Sequence, residues 1–530
     1  MVNLQPDDVF PVCRAVIGPD LWERLFGGLS HVPGPDEFRA LLSRQGGPAL
    51  PEFLPDLAVL EFHLKTLQHA EIDGTVDAMT INPGLRLLPL SWRGLADFVM
   101  MKGEGEVPVR GEELVLLWKN AATGEARMRP ASDRDLLALK IVAESLDPAD
   151  VGRAEGLPPR IIDRVIDDAV SAGILLAPPP LIRRDPQILA PGHPVDDALL
   201  CTDVFTLQWH ITQACDLRCR HCYDRSDRQK PTLEQAIGVL DDLRLFARKK
   251  SVTGAVSFTG GNPFLHPRFY DIYRAAADRG FLTAILGNPS TRRQMEKLIA
   301  IQRPSFYQVS LEGLPEHNDY MRGKGHFARM EVFLALLRDL GVRSRVMLTL
   351  TRDNMNEIIP LAEMLRGKAD SFLFNRLSMV GEGANLQLPD PEEYRAFLDE
   401  FVMAAQENPV IEFKDNLINI LRNNDDLELF GGCTGYGCGA AFNFVAVLAD
   451  GEVHACRKLP SLIGNIYEQS LLAIFDSPEA RRYRDGCAAC SGCTVRAACG
   501  GCLAVSYSYG LNIFEERDPF CWMDIRTAKK

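Results

Sequence analysis

The chain has 530 residues, with 58 Lys plus Arg against 71 Asp plus Glu and a formal net charge of −13. It is too long for one ordinary domain of roughly 100 to 200 residues, and its acidity argues against a general nucleic-acid or anionic-membrane binder. No apolar run approaches the roughly 18 to 20 residues that cross a bilayer. Met1 to Phe10 carries Asp7 and Asp8 where a signal sequence would be basic and then apolar, so the expectation is a cytoplasmic protein. The cytosol keeps thiols reduced, so the 14 cysteines argue for metal or cluster ligation over a disulfide framework.

Residues 1 to about 95 read as mostly helical, with a stripe at Leu57, Leu60, Leu64 and Leu67 after the Pro55-Asp56 start signal. The stripe alone is a packing face. The run Phe53 to Glu61 resembles a helical accessory domain found beside some peptide-modification enzymes, and residues 1–100 are assigned to it. From about 106 the pattern changes. Glu113 to Trp118 and Glu125 to Arg129 flank a Thr123-Gly124 turn and predict a hairpin. Helices follow: one capped by Ser132 and Asp133 and running to about Ser145, one opened by Asp147-Pro148, and one from Pro158-Pro159 to Ala172-Gly173. An apolar exit over Gly173 to Ala177 closes the segment. This hairpin-plus-helices pattern over residues 106–177 resembles the winged-helix element that binds the leader segment of ribosomally made precursor peptides. A winged helix in a structural or nucleic-acid role is the alternative, and net acidity weighs against the nucleic-acid version.

Residues 178–200 are rich in proline, including Pro178-Pro179-Pro180, and read as a semi-rigid linker. Beyond it, strand and helix candidates alternate. The six strand candidates are 205–212, 255–261, 282–288, 306–313, 343–350 and 371–378, and each is followed by a helix, the last at 391–407. Six βα units imply a parallel sheet within an α/β fold. Directly after the first strand stand Cys215, Cys219 and Cys222, spaced C-x3-C-x2-C. Three thiolates would leave one iron of a [4Fe-4S] cluster open to another ligand, and the carboxyl end of a parallel strand is where ligands gather. A zinc knuckle normally takes four ligands at paired spacings.

The run Ile211 to Tyr223, with these cysteines, resembles the signature of the radical S-adenosylmethionine (radical SAM) enzymes. The resemblance implies a partial (β/α)6 TIM-like barrel over residues 201–408. It also implies that SAM chelates the open iron and is cleaved to a 5'-deoxyadenosyl radical, which takes a hydrogen atom from the substrate. Thr259-Gly260-Gly261-Asn262-Pro263 stands where the family usually has Gly-Gly-Glu beside SAM's amino group; here an amide replaces the acid and loses charge assistance. By the same resemblance Ser310 and Glu312 would bind ribose hydroxyls, and Arg322 would steady the methionine carboxylate or a substrate acid. Tyr223 and Asn288 would line the adenine side.

Nine further cysteines lie within about ninety residues: Cys433, Cys438, Cys456, Cys487, Cys490, Cys493, Cys499, Cys502 and Cys521. The order Cys438, Gly451 to Cys456, Cys490-x2-Cys493-x5-Cys499-x2-Cys502 and Cys521 resembles the SPASM extension of radical SAM peptide maturases. The last internal spacing is two residues where three are common. The resemblance assigns residues 409–530 to this iron-sulfur extension and implies two auxiliary [4Fe-4S] clusters. The first would use Cys433, Cys438, Cys456 and Cys502, the second Cys490, Cys493, Cys499 and Cys521. Cys487 is left over, with substitution for Cys433, a catalytic thiol role or no role all open. Zinc in paired C-x2-C sites is the competing account of this array.

The implied activity is radical modification of a ribosomally synthesised precursor peptide, its leader held by residues 106–177, with flavodoxin or ferredoxin as electron donor. The Trp209 to Leu217 and Cys222 to Asp227 runs are also similar to maturases of selenocysteine- or cysteine-containing peptides of the selenobiotic or thiooxazole type. An anaerobic sulfatase-maturating enzyme is one alternative, but that family typically has Asp after the third extension cysteine, where this chain has Arg457. A noncatalytic electron-transfer or peptide-binding scaffold is the other.

Overall fold

The computed structural model describes residues 4–44, 50–156, 159–189 and 195–524, and the chain divides into two units, Met1–Pro179 and Pro180–Lys530. The first begins with helices Pro6–Val9, Pro11–Ile17, Pro19–Phe26, Pro35–Arg44 and Leu54–Gln68. Four of them open on proline, whose fixed φ and missing N–H suit the first helical position. Phe10, Trp22, Phe26 and Phe38 pack as a buried aromatic cluster between them. The Glu61 carboxylate is buried beneath and accepts the free N–H groups of Val12 and Cys13 at 2.8 and 2.9 Å.

Strands β1 (Thr80–Ile81), β2 (Arg86–Arg93), β3 (Val109–Lys119), β4 (Ala126–Pro130) and β5 (Leu175–Leu176) complete this unit. The expected hairpin forms as β3 and β4, antiparallel. The helical reading up to about residue 95 fails at its end, because β2 pairs with β3 in a sheet ordered β2-β3-β4. Pro89 cannot sit inside a helix without breaking its ladder, yet on an edge strand it is tolerated. Residues 1–100 and 106–177 therefore share a sheet. Alternation along β3 explains how: Val115 and Leu117 point into the helical core, Leu116 and Trp118 into a second core with the following helices. Those helices are Asp133–Ala143, Pro148–Ala154 and Pro159–Ala172; Pro158 lies outside the described residues. Ser132 and Asp135 form a capping box on the first, and Arg129 grips Asp135 with two hydrogen bonds of 2.6 and 2.7 Å. The exit strand β5 closes back on β1.

In the second unit six parallel strands follow one another: β6 (Val204–Thr212), β7 (Thr253–Gly260), β8 (Leu282–Leu286), β9 (Tyr307–Ser310), β10 (Ser344–Leu350) and β11 (Ser371–Arg376). Crossover helices include Leu233–Lys250, Phe269–Asp278, Arg292–Ile299, His326–Asp339 and Ile358–Leu365. Thr232 with Gln235, and Thr291 with Gln294, cap two of them. A helix not anticipated from sequence, Pro315–Arg322, follows β9 and carries Arg322 at its last position.

The sheet does not end at β6. Strand β12 (Phe444–Val447) pairs parallel to it, and β13 (Glu452–His454) and β14 (Leu462–Asn465) continue antiparallel, giving nine strands in the order β11-β10-β9-β8-β7-β6-β12-β13-β14. One hydrophobic core runs through barrel and extension alike, from Leu240, Phe246 and Phe258 to Phe475 and Val505. Of the proline-rich stretch, 190–194 lie outside the described residues. The part before them packs into this unit: Arg184 donates to the carbonyls of Tyr436, Cys438 and Arg484 at 2.7, 2.6 and 3.0 Å. Among the described residues no helix is long and apolar enough to cross a membrane.

Candidate functional site

At the carboxyl ends of β6 to β11 lies a cavity of about 380 Å³, lined among others by Cys215, Cys219, Cys222, Tyr223, Gly260, Gly261, Asn288, Ser310 and Arg322. Tight backbone packing places the cysteine loop. The N–H groups of Gly261 and Asn262 donate to the carbonyls of Thr212 and Ala214 at 2.8 and 2.7 Å. A Cβ on Gly260 or Gly261 would collide with those same two carbonyl oxygens, and Gly260 has φ +121°. The two glycines therefore let strand β7 lie against the chain just before Cys215. On the far side, Glu382 N–H donates to the Cys222 carbonyl at 2.9 Å, and Arg225 reaches both the Cys219 carbonyl and Glu382.

Three of the expected SAM-binding residues do not line the cavity. Asn262 is buried; its side chain donates to Asp216 at 3.0 Å and accepts the Phe264 N–H at 3.2 Å. Pro263 opens a short 3-10 turn, Pro263–Leu265. Glu312 is fully buried, its carboxylate accepting from Arg322 at 2.6 and 2.9 Å and from the Thr349 N–H at 2.8 Å. Burial pushes this carboxyl up, but His221, Arg322 and the Thr349 N–H outweigh it and hold it below its ordinary range. Burial also lowers His221, so the neighbour that keeps its charge at neutral pH is Arg322. Arg322 in turn directs a guanidinium nitrogen to within 3.7 Å of the Cys219 sulfur.

Asp216 was not singled out from sequence. It accepts from Asn262 and, at 2.6 Å, from Asn288, whose amide also lies 3.6 Å from the Cys215 sulfur. Two strand ends thus hold the loop through one carboxylate. Met347, Thr349, Asn375 and Arg376, on β10 and β11, line the cavity as well. Their signal is weak, since strands buried on both faces lose the period-two alternation that would mark inward positions. Arg376 is fully buried between two carboxylates, bonding Asp415 at 2.7 Å and Asp518 at 2.8 and 2.7 Å. Asp518 also accepts the Cys502 N–H at 2.9 Å, tying the end of the barrel to the later cysteines.

Those cysteines form two groups. Cys433, Cys438, Cys456 and Cys502 line one cavity of about 100 Å³; Cys490, Cys493, Cys499 and Cys521 line another. The four thiols of each group surround a volume, as ligands of a multinuclear cluster would. Burial pushes Cys438 up to about 12 and Cys502 up to about 11. Such thiols ionise only against bound cations, which suits iron ligation. Cys487 adjoins Cys490 beside the second group.

Residues 209–365 match the radical SAM superfamily, and residues 438–502 match the iron-sulfur cluster-binding SPASM domain. The chain is 28% identical over 325 residues to the antilisterial bacteriocin subtilosin biosynthesis protein AlbA of Bacillus subtilis, covering 57% of this chain and 67% of that one. It is 28% identical to the AdoMet-dependent heme synthase of Methanosarcina barkeri, over 59% of this chain and 95% of that one. It is 27% identical to the mycofactocin maturase MftC of Mycolicibacterium smegmatis, over 61% and 83%. The crystal structure of Streptococcus suis SuiB bound to S-adenosylmethionine aligns with TM-score 0.48 and 17% identity, covering 77% of this chain and 96% of that one. The chain thus carries a radical SAM domain followed by an iron-sulfur cluster-binding SPASM domain. Its cofactors are [4Fe-4S] clusters and S-adenosylmethionine.

Proposed function

We propose that this enzyme modifies a ribosomally synthesised peptide by hydrogen-atom abstraction in the cavity below the three-cysteine loop. The observation that carries the reading is the meeting, at one edge of the parallel sheet, of Cys215, Cys219 and Cys222 with Gly260, Gly261, Asn288, Ser310 and Arg322. When bound there, the open cluster and SAM supply a 5'-deoxyadenosyl radical, the chemistry of the class. The three cysteines hold the cluster, while Asp216, gripped by Asn262 and Asn288, fixes their loop. Ser310 would contact the ribose; Glu312 acts by orienting Arg322, which lies beside the Cys219 sulfur and would steady the SAM carboxylate or a substrate acid. Cys433, Cys438, Cys456 and Cys502 would hold one auxiliary cluster and Cys490, Cys493, Cys499 and Cys521 the other, four thiolates each leaving no iron open and suiting electron transfer. A small reduced redox protein such as flavodoxin or ferredoxin supplies the first electron in the cytoplasm.

Similarity to the bacteriocin protein and the mycofactocin maturase supports a peptide substrate. The sheet and helices over residues 80–177 support a leader-binding role for the first unit. Similarity to heme synthases favours a second reading, a tetrapyrrole substrate. Anaerobic reconstitution with iron and sulfide, followed by dithionite and SAM, should yield 5'-deoxyadenosine, and Cys215→Ala should abolish it. Absence of cleavage in iron-replete wild-type protein would refute the radical assignment. Mass loss in a genomically adjacent small peptide, against no change in an iron porphyrin, decides between the two substrates.

A further inference from the structure

The reaction cavity and the cavity ringed by Cys433, Cys438, Cys456 and Cys502 share a wall. Asn375, Arg376, Arg457 and Lys458 line both. Three of these are cations, and they differ in how their charge is met. Arg376 is neutralised by Asp415 and Asp518. Arg457 lies over the Tyr223 ring, 5.7 Å from its centroid. Lys458 is anchored through its backbone carbonyl, which accepts from the Ser378 hydroxyl. Among the described residues its ammonium has no hydrogen bond or ion pair. It lines one cavity with Cys433, Cys438, Cys456 and Cys502, and the groups that act most on its charge are the thiols of Cys502, Cys433 and Cys456 and the cation Arg457, with His221 also within reach. The carboxylate on that lining, Asp415, is bonded to Arg376.

A half-buried ammonium that has lost part of its hydration is stabilised by an anion beside it. Neutral thiols are not that anion. Four thiolates around an iron-sulfur core are, because their charge outweighs that of the core, and one-electron reduction adds a further negative charge. We propose that Lys458 is the counter-charge of the first auxiliary cluster and raises that cluster's reduction potential, making it the better electron acceptor beside the reaction cavity. Nearby charge and hydrogen bonding are the protein's levers on such potentials. The inference rests on the proposed ligand set Cys433, Cys438, Cys456 and Cys502.

The test is an anaerobic redox titration of reconstituted full-length protein, followed by electron paramagnetic resonance, with iron content measured in parallel. In Lys458→Met, one of the three cluster potentials should fall by about 59 mV or more, a tenfold shift for one electron, while the other two stay. Lys458→Arg, which keeps the charge, should hold that potential near the wild-type value. Loss of one cluster's iron in Lys458→Met but not in Lys458→Arg is also an expected result. An unchanged potential in Lys458→Met, or equal loss of iron in both variants, overturns the proposal. An unchanged potential with a raised KM for the peptide gives Lys458 to substrate binding instead. Cys502→Ala tests the ligand set separately: if it loses no iron, the assignment of the cluster fails whatever Lys458 does.

Discussion

Glu312 shows how a residue can matter to a site it does not touch. Its carboxylate lies beneath the cavity and spends both oxygens, one on Arg322 and one on the Thr349 N–H. Its folded pKa lies below its ordinary value, so the stabilisation it contributes is complete above the unfolded carboxylate range and is lost as pH falls through the folded value. Glu312→Gln leaves the Arg322 guanidinium buried without its counter-charge, which costs about 3–5 kcal/mol when a buried pair is broken. Urea unfolding at pH 7 should show that loss, and the gap between variant and wild type should narrow as pH falls through the ordinary carboxylate range, where the unfolded chain takes up its proton first, and on through the lower folded value. A gap that stays constant on acidification would mean that Glu312 is neutral in the native protein. The run Ser310 to Gly313 marked these residues from sequence, but not that Glu312 turns inward; that depends on Arg322, twelve residues beyond Ser310, arriving on a helix with no strong start signal but Pro315.

Among elements, the β7 turn governs the cysteine loop. Its glycines are demanded by the approach of two backbones, since a methyl group at either would strike the carbonyl of Thr212 or Ala214. Gly260→Ala and Gly261→Ala should each leave the far-ultraviolet circular dichroism of the barrel intact. They should displace the loop enough to lower the iron retained by Cys215, Cys219 and Cys222 and cut 5'-deoxyadenosine formation by at least tenfold, about 1.4 kcal/mol. Wild-type activity in Gly261→Ala would show that the loop relaxes freely. The barrel strands were legible because short strand-like runs alternate with helical segments, two of them opened by capping boxes. Strand β2 was not, because its residues gain a partner only when β3, some twenty residues later, folds beside them. Helix Pro315–Arg322 was missed for a related reason: it is short and polar, and its few buried side chains, Asn318 and Met321 among them, give no stripe.

For the whole molecule, the boundary at Pro179 separates two units with their own cores. Protein lacking residues 1–179 should therefore fold, take up iron and cleave SAM at a rate within about threefold of the intact chain. It should lose affinity for a leader-bearing peptide while still processing a leaderless one at high concentration. Unchanged peptide affinity would remove the first unit from substrate recognition. The cysteine spacings, the glycine pair and the alternation of strands and helices were readable in the chain because each is a local pattern imposed by local chemistry: thiolate number, backbone approach and helical or extended period. The merging of the extension into the barrel sheet through β12, the turning away of Asn262 and Glu312, the grip of two amides on Asp216 and the cationic wall between two cavities were not. Each joins residues tens to hundreds of positions apart, and such contacts leave no periodic trace in a sequence; they exist because packing one core across both regions brings those side chains face to face.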